Sequence, residues 1–208
     1  GSSMDSVKLC ASTGIAASHA GCGGTGDTGL GGSTTQIGPG ATLEQAETVF
    51  DELETSVLGI QLADGATSYA NLPAGPFSFQ GIISGGPGAD GTGDFTHYAD
   101  LNLSTDFNTV TGSVTNFTTN VGNFNNPAGS ITVSGVVTNA GVATIEFSGS
   151  GSLVGAGVVA DYSISTTDGT FLGSNGSAIE GGQESEFVWT AGRVGTEYSN
   201  GDWYAKLP

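Results

Sequence analysis

The chain has 208 residues, of which 37 are glycine, and its 3 basic and 20 acidic residues leave a formal net charge of −17. So negative a surface repels phosphate backbones and anionic headgroups, which excludes nucleic-acid binding and docking on acidic lipid. A hydrophobic fraction of 37% with only 11% charged residues is not the composition of a disordered chain, and at this length one domain can bury a core.

Gly1-Ser2-Ser3 before Met4 reads as a cloning remnant and carries no fold information. Ala20-Gly21-Cys22-Gly23 has the small-residue character of a lipoprotein cleavage box, which would make Cys22 a lipidated residue. The segment before it is interrupted by Lys8, Ser12, Thr13 and Ser18, so a plain small-residue tail is the competing reading. Cys10 and Cys22, the two cysteines of the chain, are also spaced to close a short disulfide loop in an oxidising compartment. Gly21 to Gly40 is dense in Gly, Ser and Thr and reads as a flexible tether, so residues 1–41 are expected to be a disordered tail and 42–208 the folded domain.

Thr42 to Leu58 reads as the one helix. Thr42 can cap it, Glu44 and Glu47 suit its positive end, and Leu43, Ala46, Val49 or Phe50, Leu53 and Val57 form one apolar stripe, with Gly59 as the stop. Such a stripe lies on a sheet or plugs the end of a barrel. From Leu72 onward the period becomes two. Alternating runs occur at Phe77–Ile82, Tyr98–Leu103, Val110–Phe117, Ile131–Val136, Val142–Phe147, Val158–Ile164 and Glu186–Thr190. Shorter ones follow at Gly169–Leu172, Ser177–Glu180 and Trp203–Leu207. Asn139-Ala140-Gly141, Asp168-Gly169 and Asn200-Gly201-Asp202 supply the positive-φ residues of tight hairpins. About eight to ten antiparallel strands without covering helices are expected to close into a small all-β up-and-down barrel, because closure removes exposed edges. Gly81, Gly112, Gly135, Gly149 and Gly155 would provide its bends.

Three stretches, taken in order, resemble the transferrin-binding protein B-like β-barrel family. Leu72-Pro73-Ala74-Gly75-Pro76-Phe77-Ser78-Phe79-Gln80-Gly81 is similar to the family's entry into its first strand. The paired strands Ala99 to Val114, with Asp106-Phe107 between them, and the stretch Asp168 to Gly182 resemble its middle hairpin and closing signature. The resemblance covers roughly residues 72–194. It implies an eight-stranded barrel exported to the surface of a Gram-negative bacterium, in a family whose small members capture haem or protein partners. Three departures matter. The chain is one barrel long, it lacks a second, partner-presenting domain, and Phe79 stands where the family has Tyr, so transferrin binding does not carry over.

Catalysis is not expected. The folded region has one histidine, His97, and no cysteine, and the chain contains no Gly-x-Ser-x-Gly elbow, phosphate loop or His-Glu-x-x-His. Glu184 and Glu186 share a strand face, the arrangement of solvated acids more often than of a glycosidase pair. A hemophore-like role would make His97 the haem ligand, with Tyr98 or Phe95 beside the porphyrin; the competing reading is an exposed loop histidine. Asp90 and Asp94 read as a polar hairpin loop rather than a calcium site. Trp189, Tyr198, Trp203 and Tyr204 cluster near Arg193 and Lys206, either as an interface centred on Trp203 and Arg193 or as a closing strand whose aromatics fill the barrel. The expected function is a non-catalytic exported binding protein, periplasmic, extracellular or on the outer membrane. The alternative is a structural component of a cell surface. Partners are a protein or a small molecule, with haem an open cofactor and a membrane reached only through lipid at Cys22.

Overall fold

The computed structural model describes residues 35–88 and 93–208. Cys10, His19, Cys22 and Asp90 lie outside the described residues, so lipidation, the disulfide and the calcium reading are not addressed by it.

One helix, α1 (Leu43–Asp64), precedes eight strands: β1 (Phe77–Pro87), β2 (His97–Thr105), β3 (Thr109–Thr119), β4 (Ile131–Ala140), β5 (Val142–Val154), β6 (Val159–Leu172), β7 (Ala178–Ala191) and β8 (Thr196–Lys206). Each strand pairs with the next in antiparallel register, and β8 returns to β1, closing the barrel. Residues of one parity point inward, among them Phe79 and Ile83 on β1, Leu101 and Leu103 on β2, and Trp203 and Ala205 on β8, and together they form the main core. Two glycines mark where strands coil tightly against their neighbours. A Cβ at Gly135 would lie 1.9 Å from the Glu146 carbonyl oxygen, and one at Gly81 2.1 Å from that of Tyr204; backbone cannot give way, so only glycine fits.

The helix is capped as expected: the Gln45 amide donates to Thr42 Oγ1 and the Thr42 amide to Gln45 Oε1, both at 3.1 Å. It does not stop at Gly59. It continues to Asp64 and ends at Gly65, whose φ of +69° supplies the left-handed residue. An interior glycine costs only about 1 kcal/mol of helix propensity, which the packing of Val57 and its neighbours outweighs. Nor does the helix plug the barrel. Ala46, Val49, Phe50, Leu53 and Val57 bury against Ile82, Tyr98 and Tyr204 on the outer wall of β1, β2 and β8. The plug is the segment 65–76, which bridges to β5 and β6 and sends the Tyr69 hydroxyl to the Phe107 carbonyl at 3.1 Å.

Two expected hairpins are absent. Asp168-Gly169 is a bulge inside β6, where the register slips between Thr167 and Thr170 and Asp168 takes φ +61°. Asn200-Gly201-Asp202 runs straight through β8, opposite β7. Two pairs of expected strands are each one strand: Val158–Ile164 with Gly169–Leu172 in β6, where the hairpin is absent, and Ser177–Glu180 with Glu186–Thr190 in β7. Gly155 lies just beyond the end of β5 rather than within it.

Candidate functional site

His97 is neither an exposed loop residue nor an accessible ligand. It opens β2 on the inward parity and is fully buried. The rings of Phe187, Tyr162, Phe95 and Phe117 surround it at centroid separations of 5.0 to 6.4 Å. Nδ1 lies 2.8 Å from Ser199 Oγ, while Nε2 has no partner. Burial alone holds the imidazole down at a pKa of about 3, so it is neutral at physiological pH. A porphyrin could reach Nε2 only by displacing those rings.

A polar chain continues from this point through the barrel. The Gln183 amide donates to the Ser199 carbonyl at 3.1 Å, the Ser185 hydroxyl donates to Gln183 Oε1, and Ser185 Oγ meets the Tyr162 hydroxyl at 2.9 Å. Burial raises the Tyr162 pKa, so its phenol stays protonated. Ser199, Gln183 and Ser185 were not singled out in the sequence, although counting back by twos from Trp203 and Phe187 places all three inward.

The other expected site residues are scattered. Tyr98 points to the opposite side of β2 from His97, packed beneath Phe50 of the helix with ring centroids 5.7 Å apart; burial, and then the nearby Glu47 carboxylate, raise its pKa. Trp203 is fully buried inside the barrel against Phe147. Arg193 sits in the turn between β7 and β8, its guanidinium carbon 4.9 Å above the Trp189 ring and 3.7 Å from a Glu197 carboxylate oxygen by its Nη2. Seven residues separate the start of β8 from Trp203, roughly 23 Å at strand rise. His97, Tyr98, Trp203 and Arg193 therefore do not converge on one site.

A second buried polar group lies on the outer wall. Asp100, on β2, is fully buried beneath residues 35–38. Its carboxylate accepts the Ile37 amide at 2.6 Å, the Gly38 amide at 2.9 Å and the Asn116 side-chain amide at 2.8 Å. Asn116 reaches it from a bulge on β3, where φ is +53°. Burial raises the Asp100 pKa against the lowering effect of these three donors. Residues 35–41, read from the sequence as the end of a tether, are thus clamped to the barrel, and the folded unit includes them. Asp100→Ala is expected to leave the Ile37 and Gly38 amides unpaired, at a cost of about 1–3 kcal/mol. Hydrogen exchange at those two amides should accelerate while the strands stay protected. Unchanged exchange there would refute the clamp.

The two ends of the barrel differ. The end closed by residues 65–76 is covered by the chain's own backbone. The other end holds residues 93–96 and the connections after β3, β5 and β7, sealed from within by Phe95, Phe124 and Trp189. Arg193 and the almost fully exposed Val194 project from it. No protein-family model, curated protein or solved structure matches the chain.

What the arrangement can do chemically follows from burial. The one histidine–serine pair of the barrel is sealed from solvent, and no group of three or more His, Cys, Asp or Glu among the described residues is placed to hold a metal ion. Groups that can meet a partner include those at the loop end, on the outer wall of β3 to β8 and on the exposed face of α1, where Leu62 stands.

Proposed function

We propose that this chain is a non-catalytic binding protein, exported or displayed at a cell surface, that takes its partner at the loop end of the barrel. The observation that carries the reading is the solidity of the interior. Aromatic side chains fill the barrel and enclose its histidine, so recognition falls to surfaces, and loops on a rigid scaffold are where binding residues are generally held. At that end a guanidinium stacked on Trp189 lies beside an exposed valine, a pairing of aromatic, Arg and apolar groups typical of interface anchors. The eight-stranded closed barrel with a preceding helix is also the architecture implied by the resemblance to transferrin-binding protein B-like barrels. The net charge limits the partner to a basic or uncharged surface. Haem held by His97 is not part of this reading, and hemin titration should give no Soret shift that His97→Ala alters.

The test uses immobilised protein exposed to serum and to spent growth medium. A partner retained by the wild type and lost by the Arg193→Ala, Val194→Asp double variant, whose unfolding midpoint is unchanged, supports the loop end. Retention indifferent to that change overturns it. Self-association without capture favours the alternative, a structural component of a cell surface.

A further inference from the structure

On the outer wall of β6, β7 and β8, two adjoining hollows of about 310 and 240 Å³ share Ser165, Glu184 and Asn200. They form one groove across β6, β7 and β8, open because Gly182 places no side chain in it. From this groove we propose a binding site for an uncharged, extended oligosaccharide. The site is on the wall, so it stands independently of what the loop end binds.

The lining has the two surfaces that sugars require. Tyr198 stands at one side, 52% exposed on β8 despite being a large ring in a strand, and offers a face for the C–H side of a pyranose. Around it are groups that bond hydroxyls: the Glu184 and Glu186 carboxylates accept, the Ser163 and Ser165 hydroxyls do both, and the Asn200 amide does both. Glu184 and Glu186 are two residues apart on one face, roughly 6.8 Å at strand rise, and they pair across the strands with Asn200 and Tyr198 respectively. Hydrogen bonds from sugar hydroxyls to carboxylates are among the stronger neutral-to-ion bonds.

A polar row on the outer wall runs into the groove. In register across five adjacent pairs, Thr111, Ser134, Ser148, Ser165, Glu184 and Asn200 stand side by side. No hydrogen bond among the described residues occupies the four hydroxyls. Within the groove, Ser165, Glu184 and Asn200 stand on three neighbouring strands about 4.8 Å apart, close to the advance of one ring in an extended β-linked glycan, so successive sugars would meet successive strands there.

Charge chooses among the sugars. Arg193 is engaged with Glu197 at the loop end and Lys206 with Ser56 beneath the helix, so among the described residues no cation faces the groove. Two carboxylates and no base turn away uronic acids, sulfated glycans and phosphates. One exposed ring is too little apolar surface for a protein hot spot, since Ile164, the aliphatic residue of the lining, is buried with the core.

Titration of the full chain with cellohexaose, chitohexaose and hexagalacturonate, followed by amide NMR, tests the site. At least one of the two neutral hexamers is expected to move the resonances of Ser165, Glu184, Asn200 and Tyr198 while leaving those of residues 191–195 in place, and hexagalacturonate to move none. Tyr198→Ala should weaken that binding roughly tenfold, the loss of one stacking contact, and Glu184→Gln should weaken it too, both without lowering the thermal midpoint, since both side chains are exposed. Silence of the groove toward both neutral hexamers at millimolar concentration would overturn the proposal. So would equal binding of hexagalacturonate, or affinity indifferent to Tyr198→Ala and Glu184→Gln.

Discussion

Acidification from pH 7 to pH 4 is expected to remove a large stabilising contribution that His97 makes to this protein. The unfolded imidazole takes a proton near its ordinary pKa of 6.5, whereas in the barrel burial depresses that pKa to about 3. Between those values the unfolded chain binds more protons than the folded one, so stability rises with pH. The contribution is complete above pH 6.5 and is lost progressively as pH falls toward 3. The gap corresponds to on the order of 4–5 kcal/mol, a large share of the marginal stability of a small domain. Exposed Asp106, held below the usual carboxylate range by the Thr109 and Asn108 amides, acts in the same direction, whereas three other acids act in the opposite one. Burial holds Asp100, Asp51 and Asp202 above the usual carboxylate range, so their protonation favours the folded state, and it also relieves the repulsion of a chain at −17. A variant unable to titrate at residue 97 separates the two. His97→Phe with Ser199→Ala removes the 2.8 Å hydrogen bond from both sides, an exchange that is nearly neutral when neither partner is left orphaned. Urea midpoints of wild type and double variant, measured at pH 7, 6, 5 and 4, should diverge, with the wild type losing stability relative to the variant as pH falls. Parallel curves would exclude His97 as the acid-labile group.

That sensitivity was legible in part. Period two read back from Leu103 and Leu101 reaches His97 and puts it inside, on the opposite face from Tyr98; the adjacency of a histidine and a tyrosine in sequence obscured their opposite directions. The barrel itself could be read because alternation and the absence of long helical periods are properties of composition along the chain. Its hairpins were less legible. Asp-Gly supplies the same positive-φ backbone to a turn and to a bulge, and at Asp168-Gly169 only the pairing of β6 with both neighbours decides which. Asp100 could not have been found at all. Its burial depends on residues 35–38 folding back over β2 and on Asn116 leaning across from a bulge on β3, contacts separated by up to 63 residues. Local patterns cannot register such contacts. The polar groove of β6 to β8 was half visible, since Glu184 and Glu186 clearly share a face, but the cross-strand register that sets Tyr198 and Asn200 beside them is a property of pairing.

Truncating Trp203 to alanine is expected to cost about 3–5 kcal/mol, and the reason ties the bulge to the core. Trp203 is fully buried and meets Phe147 edge to face with centroids 5.1 Å apart. Its indole lies in a slot made by two glycines on neighbouring strands. A Cβ at Gly181 would lie 2.5 Å from the Trp203 Nε1, and one at Gly169 would lie 3.0 Å from Cζ2. Gly181 is the cross-strand partner of Trp203 on β7, and the β6 bulge at Asp168 brings Gly169 alongside. Trp203→Phe should cost less than Trp203→Ala, because it keeps a ring in the slot and removes an indole N–H that has no partner. Gly181→Ala alone should destabilise by roughly 1–3 kcal/mol through overpacking. The two changes should not add. Once the indole is gone, the two shortest contacts of the alanine at 181 are relieved, leaving the Gly169 Cα at 3.0 Å, and its methyl fills part of the cavity, so the Gly181→Ala, Trp203→Ala double variant should be more stable than the sum of the single losses predicts, by an interaction energy of about 1 kcal/mol or more. Urea unfolding at neutral pH of the wild type, both single variants and the double variant measures this directly. Strict additivity would mean that the two residues do not share the slot, and that the bulge at Asp168 serves the strand pairing alone.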